Sequence, residues 1–337
     1  ENMNIIIPMA GMGKRLRPHT LSTPKPLVKV CNKEIVKILC QDIVKTCGGK
    51  VDNIGFVVGH FGEKVEQDLI QVARSLGAEG RIFYQEEPKG TADAVWQAKD
   101  LLKGNVVVAF ADTLFNADFT MDLNKDGIIW TSEVENPSAF GVVKKDDTTG
   151  KILQFVEKPK EFVSREAIIG IYYFKSGERL YSEIKRLIDN NIVKGGEYQL
   201  TDCLENMLQT GYSFTTETVS KWMDCGNKDA VVDTNKQLLE MREEMRGMHT
   251  NVTGNNTCVI PPYYIGENVR LDNCVIGPYV TLEDGVMIEN SIITNSIIGK
   301  DSRIDNAILD NSMIGEGAVY SGKAKDISLG SYSNIKE

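Results

Sequence analysis

The chain has 337 residues, of which 42% are hydrophobic and 25% are charged, and this balance excludes a disordered or collagen-like protein. Lysine and arginine number 38 against 47 acidic residues, for a net charge of −9, so no nucleic-acid partner is expected, because such binding needs a basic surface. No apolar run approaches the roughly 20 residues of a membrane span, so no membrane partner is expected.

The cellular compartment is predicted from the N-terminal segment and the cysteines. The apolar stretch Asn4–Pro8 is too short for the core of a signal peptide and has no basic flank. The seven cysteines contain no CxxC pair, which suits a reduced protein better than a disulfide framework. We therefore expect a cytoplasmic protein.

The first ~230 residues alternate strand-like and helix-like segments, as the apolar spacing indicates. This alternation predicts an α/β fold with a mostly parallel sheet, and a ligand outside the carboxyl ends of its strands. The predicted strands are Asn4–Met9, Asn53–Val58, Arg81–Gln85 and Asn105–Phe110, and the predicted helices are Gly62–Leu76 and Thr91–Leu102.

Positive charge is concentrated near the first of these strands. Residues 1–33 contain one acid, Glu1, and six basic side chains, for a local charge of +5. This excess in an acidic chain predicts a site for a small anion. The six are Lys14, Arg15, Arg17, Lys25, Lys29 and Lys33.

The glycine-rich segment Gly11–Arg15 follows the first strand and is expected to turn back toward a helix. Glycines allow backbone N–H groups to approach phosphate oxygens closely. Arg15 follows Lys14 where a Walker A loop needs Ser or Thr, and Leu16 stands where a dinucleotide-binding loop needs glycine. The segment is therefore typical of phosphate binding, but it matches neither loop.

Between residues 127 and 174 the predicted strands lie closer together, as in an insertion that closes over one side of the sheet. Three helices are predicted after it, and the last is a plausible connector that ends at Gly247. The strands are Gly127–Val134, Phe140–Lys144, Ile152–Glu157 and Ala167–Phe174, and the helices are Gly177–Asn191, Leu200–Gln209 and Asp229–Met245.

The sequence changes character after Asn255. Ile-Gly dipeptides begin at Ile265, Ile276, Ile298 and Ile314, and apolar residues recur six apart. This imperfect hexapeptide repeat favours a parallel β-helix of about four coils with three hexapeptides each. Irregular strands of a sandwich are the alternative.

The segment Ile7–Leu16, together with Pro24–Leu27, resembles the signature of the sugar-1-phosphate nucleotidylyltransferases, and most closely the glucose-1-phosphate thymidylyltransferase type. These enzymes join a nucleoside triphosphate (NTP) and a sugar 1-phosphate into a nucleotide sugar and release pyrophosphate. The resemblance implies a Rossmann-like catalytic domain over residues 1–247 and a left-handed parallel β-helix over residues 255–330, for assembly or regulation. Open coil ends and strand edges favour a homo-oligomer formed through that β-helix.

The resemblance also implies which residues bind the two substrates. Gln85 resembles the residue that reads the base, and its amide offers both a donor and an acceptor. The nucleotide-binding set is Ala10, Gly11, Gly13, Lys14, Arg15, Gln85, Gly90 and Thr91. The sugar-phosphate-binding set is Gly141, Glu157, Lys158, Ile168, Tyr172 and Glu197. Structural alternatives are a helix cap at Thr91, a bulge at Gly141 and a surface ion pair at Glu157 and Lys158.

Two aspartates resemble the magnesium ligands of this family. Asp112 ends an apolar strand, and Asp224 lies in a Trp-x-Asp-x-Gly motif that starts at Trp222. Many relatives have threonine after that glycine, where this chain has Asn227. The expected cofactor is Mg²⁺ on Asp112 and Asp224.

The catalytic set is expected to act by alignment and charge, because a sugar phosphate is already an ionised nucleophile. It comprises Arg15, Lys25, Asp112, Lys158 and Asp224. The expected pair is dTTP or UTP with glucose 1-phosphate. Alternatives are another pair, such as GTP with mannose 1-phosphate, or a non-catalytic subunit that senses nucleotide sugars. An acyltransferase in the repeats is disfavoured, because residues 250–337 contain no histidine.

Overall fold

A computed structural model describes residues 2–11, 13–48 and 50–337, so Glu1 and Met12 of the sequence motifs lie outside the described residues. The chain forms two compact units. Unit 1 runs to Val28 and from Lys33 to Gly226, and unit 2 consists of Lys29–Asn32 and Asn227–Glu337. The functional division at residues 247 and 255 stays a prediction.

The helices longer than one turn number six in the described part of the chain, besides short 3-10 turns. They are α1 Ile35–Cys47, α2 Glu63–Ser75, α3 Thr91–Gln97, α4 Gly177–Asp189, α5 Leu200–Gln209 and α6 Lys228–Met241.

The strands have two to nine residues each, and most are short, as is usual in globular proteins. They are β1 Asn2–Pro8, β2 Lys29–Val30, β3 Lys33–Glu34, β4 Lys50–Val58, β5 Glu79–Tyr84, β6 Asn105–Ala109, β7 Thr113–Asn116, β8 Gly127–Glu133, β9 Gly141–Lys145, β10 Ile152–Glu157, β11 Glu166–Phe174, β12 Phe214–Thr218, β13 Lys221–Asp224, β14 Gly247–Met248, β15 Cys258–Val259, β16 Tyr263–Ile265, β17 Arg270–Ile276, β18 Val280–Leu282, β19 Met287–Ile293, β20 Ser296–Ile298, β21 Arg303–Asp305, β22 Ile308–Leu309, β23 Met313–Ile314 and β24 Val319–Ser321.

Unit 1 is a mixed α/β fold with a Rossmann-like parallel core. β6, β1, β4 and β5 lie side by side and parallel, with Ile5 opposite both Ile54 and Val107. Ile5, Ile6 and Ile7 are fully buried, as expected for a central parallel strand that is covered on both faces. The α/β prediction is confirmed at this level.

The strands between residues 127 and 174 correct one expectation. They do not close over the sheet; they extend it, because β11 pairs antiparallel with β6 and β8 pairs with β11. β9 and β10 continue the same sheet beyond β11. The free edge of β6 thus gains the backbone hydrogen bonds that an edge strand otherwise lacks.

Two predicted helices are shorter than expected. α3 ends at Gln97 and is followed by a 3-10 turn at Lys99–Leu101. α6 ends at Met241, before a second 3-10 turn. The periodic apolar residues continue through both turns, so spacing alone did not reveal either end.

Unit 2 contains three parallel ladders that the chain visits in a fixed order. The first ladder holds β14, β16, β18, β20 and β23. The second holds the first halves of β17 and β19 with β21 and β24. The third holds β15, the second halves of β17 and β19, and β22. These parallel sheets are consistent with a β-helix, and their handedness stays a prediction.

The period of these ladders differs from the expected 18 residues of three hexapeptides. Leu271 lies opposite Ile288, 17 residues away, and Ile288 lies opposite Ile304, 16 residues away. Each turn of the chain is therefore one or two residues shorter than three full hexapeptides. The inward residues of successive turns still stack, since Leu271, Ile288 and Ile304 are each at most 2% exposed.

Asparagines form one corner of this repeat. Asn256, Asn273, Asn290 and Asn306 all have φ between 50° and 54°, a left-handed conformation that asparagine tolerates better than most residues. Their amides also hydrogen-bond along the stack, with 2.7 Å from Asn256 to Asn273 and 3.1 Å from Asn273 to Asn290. The many asparagines of the repeat thus have a structural role.

No helix in the described ranges combines the length and apolar character needed to span a membrane.

Candidate active site

The glycine-rich segment lies directly after β1, at the carboxyl end of the parallel core. Gly13 has φ 61° and precedes a 3-10 turn over Lys14–Leu16. The hydroxyl of Thr20 donates to the Gly13 carbonyl at 2.6 Å. The expectation of a helix here is wrong, because a further 3-10 turn and a proline-rich stretch follow instead, and proline provides no N–H for a continuing helix.

A cleft of about 820 Å³ opens at this edge of the sheet. Residues that follow four parallel strands, β1, β4, β5 and β6, line this cleft. A ligand was expected at these carboxyl ends. Eleven of the predicted site residues line it, namely Ala10, Gly11, Gly13, Lys14, Arg15, Lys25, Gln85, Gly90, Thr91, Asp112 and Glu197.

Three cations face this cleft. No ion pair is found for Lys14, Arg15 or Lys25 within the described ranges. The cations therefore remain available to a bound anion, and a guanidinium can bind two phosphate oxygens at once. Lys25 belongs to a 3-10 turn with a buried proline, Pro26, which limits its backbone freedom.

Two segments that line the cleft are joined by hydrogen bonds. The Tyr198 N–H donates to the Lys89 carbonyl at 2.8 Å, and the Ala92 N–H donates to the Tyr198 carbonyl at 3.0 Å. The Thr91 hydroxyl oxygen accepts from the Leu200 N–H at 2.8 Å, so this side chain caps α5. Gly90 has φ 110°, and a Cβ there would overlap the Tyr198 backbone. The loop with Gly90 and the loop with Glu197 thus form one rigid wall.

The two predicted metal ligands lie on neighbouring segments. Asp224 ends β13 opposite Thr113, the residue that follows Asp112. Asp224 Oδ1 accepts from the Gly226 N–H at 2.9 Å. A Cβ on Gly226 would lie 3.0 Å from Arg15 Nη2 and 3.1 Å from Asp224 Oδ1, so a side chain at this position would crowd both groups.

The chemistry of this carboxylate pair suits magnesium. No group of three or more His, Cys, Asp or Glu side chains that could hold a metal is found in the described part of the chain. Mg²⁺ is commonly held by one or two carboxylates, with waters and substrate phosphates as its other ligands. Asp112 and Asp224 are both exposed and could supply those two carboxylates.

The remaining predicted sugar residues form a second group outside the cleft lining. A Cβ on Gly141 would lie 2.9 Å from Glu157 Oε2 and 3.7 Å from Ile168 Cδ1. Burial raises the pKa of Tyr172, and the charges of Glu157 and Asp112 raise it further. Tyr172 therefore lies within electrostatic reach of both groups, and its hydroxyl stays protonated.

Lys158 has an unusual backbone within this second group. Its φ is 43°, which is strained for a residue with a side chain. The Lys158 N–H donates to the Phe140 carbonyl at 3.0 Å, which holds the exposed side chain at the end of β10. The roles of all these residues remain predictions.

Sequence reasoning assigned no site role to several residues of the cleft. His60 and Glu86 both line it, with His60 Nε2 at 2.5 Å from Glu86 Oε2. Phe110 also lines it and packs edge-on against Tyr172 at 6.4 Å between ring centres. Each follows a parallel strand, so the rule for carboxyl ends could have found them.

A model of the nucleotidyl transferase family matches residues 4–241, more than half of the chain. The chain belongs to this family. Among similar proteins, a low-salt glycan biosynthesis nucleotidyltransferase of Haloferax volcanii is 30% identical, and the match covers 71% of this chain and 66% of that protein. The mannose-1-phosphate guanyltransferase beta-B of Xenopus laevis is 32% identical, and the match covers 79% of this chain and 74% of that protein.

A solved structure has the same fold over a large part of this nucleotidyl transferase. It is a Bacillus anthracis protein assigned as a glucose-1-phosphate thymidylyltransferase, in complex with a sucrose. The match covers 69% of this chain and 94% of that one, with a TM-score of 0.58 and 23% identity. At this identity the likeness extends to the fold alone.

Proposed function

We propose that this nucleotidyl transferase transfers a nucleotidyl group from an NTP to a sugar 1-phosphate, with Mg²⁺, and releases pyrophosphate. The observation that carries the proposal is the cleft itself, where a glycine-rich loop and three cations, which form no ion pair in the described part of the chain, lie near Asp112. A triphosphate is the small polyanion that such a site suits. The nucleotide-sugar enzymes among the relatives support the same class of reaction.

The proposed reaction is an in-line displacement at the α-phosphorus. An oxygen of the sugar phosphate forms a bond to that phosphorus, the bond to the bridging β-phosphate oxygen breaks, and pyrophosphate leaves with its electron pair. No proton has to be removed from the nucleophile, so neither His19 nor His60 needs a role. Arg15 and Lys25 stabilise the charge on the triphosphate, and Lys158 holds the incoming phosphate.

Asp112 and Asp224 would hold the magnesium ion, which supplies charge stabilisation to the phosphate oxygens when bound. Arg15 Nη2 and Asp224 Oδ1 both lie close to Gly226. Glu157 and Glu197 are proposed to accept hydrogen bonds from sugar hydroxyls. The wall that contains Gly90 and Glu197 would then hold nucleotide and sugar in register.

The base is proposed to carry a ring N–H, as in dTTP, UTP and GTP. Gln85 Nε2 donates to the Gly90 carbonyl at 3.3 Å and to Asp93 Oδ2 at 3.0 Å, which leaves the carbonyl oxygen of Gln85 for the base. We keep dTTP or UTP with glucose 1-phosphate as the first pair. GTP with mannose 1-phosphate is the second candidate, which the mannose-1-phosphate guanyltransferase of Xenopus laevis favours.

Unit 2 is proposed to be a left-handed β-helix through which copies of the chain assemble, inside the cytoplasm. The three parallel ladders support the β-helix. Exposed apolar side chains on the last turns, such as Ile308 at 81% and Val319 at 73%, support assembly. Native mass spectrometry of the intact chain tests it, and a monomer at micromolar concentration would contradict it.

The test of the proposed function is product formation across a panel. Five NTPs are each paired with the 1-phosphates of glucose, galactose, mannose and N-acetylglucosamine, and nucleotide sugar is measured by mass spectrometry. We expect strong turnover with one pair, and a loss of about 10²-fold or more for Arg15→Ala. Binding of an NTP without turnover by any pair would instead support the non-catalytic sensing subunit.

A further inference from the structure

A buried carboxylate stands behind the residue proposed to read the base. Asp93 lies in the first turn of α3 and is 7% exposed. Its Oδ2 accepts from Gln85 Nε2 at 3.0 Å, and its Oδ1 accepts from Gln97 Nε2 at 3.3 Å. A buried carboxylate is costly unless it is hydrogen-bonded, and these two amides partner both of its oxygens.

These contacts determine which end of the Gln85 amide faces the cleft. The oxygen and nitrogen of an amide have similar shapes, so only their partners distinguish the two orientations. Asp93 and the Gly90 carbonyl both accept from Gln85. A flipped amide would place its oxygen against two acceptors. The amide nitrogen is therefore directed away from the ligand, and the carbonyl oxygen is left for it.

The consequence for the base follows from hydrogen-bond complementarity. Uracil carries a hydrogen on N3, whereas cytosine has a lone pair there. A base whose N3 edge meets the Gln85 carbonyl makes a hydrogen bond in the first case and meets repulsion in the second. Guanine and adenine differ in the same way at N1.

We propose that Asp93 is a positioning residue that sets base selectivity, because it fixes the Gln85 amide with its carbonyl oxygen toward the base. The inference rests on the proposed function, since it needs the NTP in this cleft. It extends that function by one residue that touches no substrate and yet decides which bases are accepted.

The test is the ratio of CTP to UTP dissociation constants, measured by calorimetry on the intact chain with Mg²⁺. Asp93→Asn keeps the size of the side chain but can donate as well as accept, so Gln85 can turn. We expect the wild type to favour UTP, and Asp93→Asn to lower the ratio at least about tenfold. GTP and ATP are compared in parallel, in case the protein prefers purines.

The matched control is Gln97→Ala, which removes the other partner of Asp93 and leaves its bond to Gln85. This variant should keep the wild-type ratio. A ratio unchanged in Asp93→Asn, or lowered equally in Gln97→Ala, would overturn the proposal. If Asp93→Asn does not fold, Gln85→Met replaces it. A ratio near one in Gln85→Met would support base reading by the Gln85 amide, on which the role of Asp93 depends, and an unchanged ratio would overturn the proposal.

Failure of the inference is distinguishable from failure of the proposed function. If the wild type binds UTP and CTP equally, and also GTP and ATP equally, the role of Asp93 is overturned. This holds whether or not the protein turns over any substrate pair. Selective binding that Asp93→Asn relaxes, with no turnover on any sugar 1-phosphate, upholds the role of Asp93 and rejects the transferase.

Discussion

Glu283 in unit 2 provides a pH-dependent test of the repeat architecture. The side chain follows β18 at a turn between two ladders. Burial raises its pKa from 4.5 to about 7, and Glu316 and Asp284 raise it too, against the opposing effects of Lys29 and the Lys300 N–H. Glu283→Gln replaces the acid with a neutral side chain of nearly the same shape.

The sign and size of the effect follow from proton linkage. Below pH 4.5 Glu283 is protonated in both the folded and the unfolded chain. Between 4.5 and about 7 the unfolded chain releases the proton and the folded chain retains it, so the free energy of unfolding falls as pH rises. At roughly 1.4 kcal/mol per pH unit, the wild type loses about 3 kcal/mol over this range relative to the variant.

Hydrogen exchange of peptides from residues 280–298 is the assay, with the full-length wild type and Glu283→Gln compared at each pH. We expect equal protection at pH 4.5 and about 100-fold greater protection of the variant at pH 8. The control is Glu289→Gln, an exposed glutamate on β19, which should match the wild type throughout. Equal protection of wild type and Glu283→Gln at pH 8 would refute the burial argument.

The other predictions concern the wall of the cleft. Gly90→Ala introduces a Cβ against the Tyr198 backbone at a positive φ, so we expect about 2 kcal/mol of destabilisation and a higher KM for both substrates; steady-state kinetics that change for one substrate alone would contradict a shared wall. Thr91→Val removes the acceptor for the Leu200 N–H and should destabilise the protein by about 1 kcal/mol in denaturant unfolding. Thr91→Ser should restore that stability, and a Thr91→Ser variant as unstable as Thr91→Val would refute the capping role.

Local signals in the sequence were sufficient for much of the fold and the cleft. Apolar runs gave the parallel strands, and the resemblance of short motifs to the family gave most of the cleft lining. Gln85 was found by that resemblance, and Asp112 also by its place after a strand of the parallel core.

Features that depend on distant partners were not predicted. The pairing of β11 with β6 depends on which sheet edge is free, and α1 lacked a clear start signal, because no side chain caps it. Asp93 reads from sequence as an ordinary acid in the first turn of a helix. Only its contact with Gln85, from another segment, reveals its position behind the cleft.

The central claim is nucleotidyl transfer at the α-phosphorus, and the fate of an isotopic label tests it most directly. NTP labelled at the α-phosphorus, or separately at the γ-phosphorus, is incubated with Mg²⁺ and the preferred sugar 1-phosphate. We predict that the α-label enters the nucleotide sugar and that the γ-label leaves in pyrophosphate. Retention of both labels in intact NTP, or transfer of the γ-label to the sugar, would contradict the proposed function.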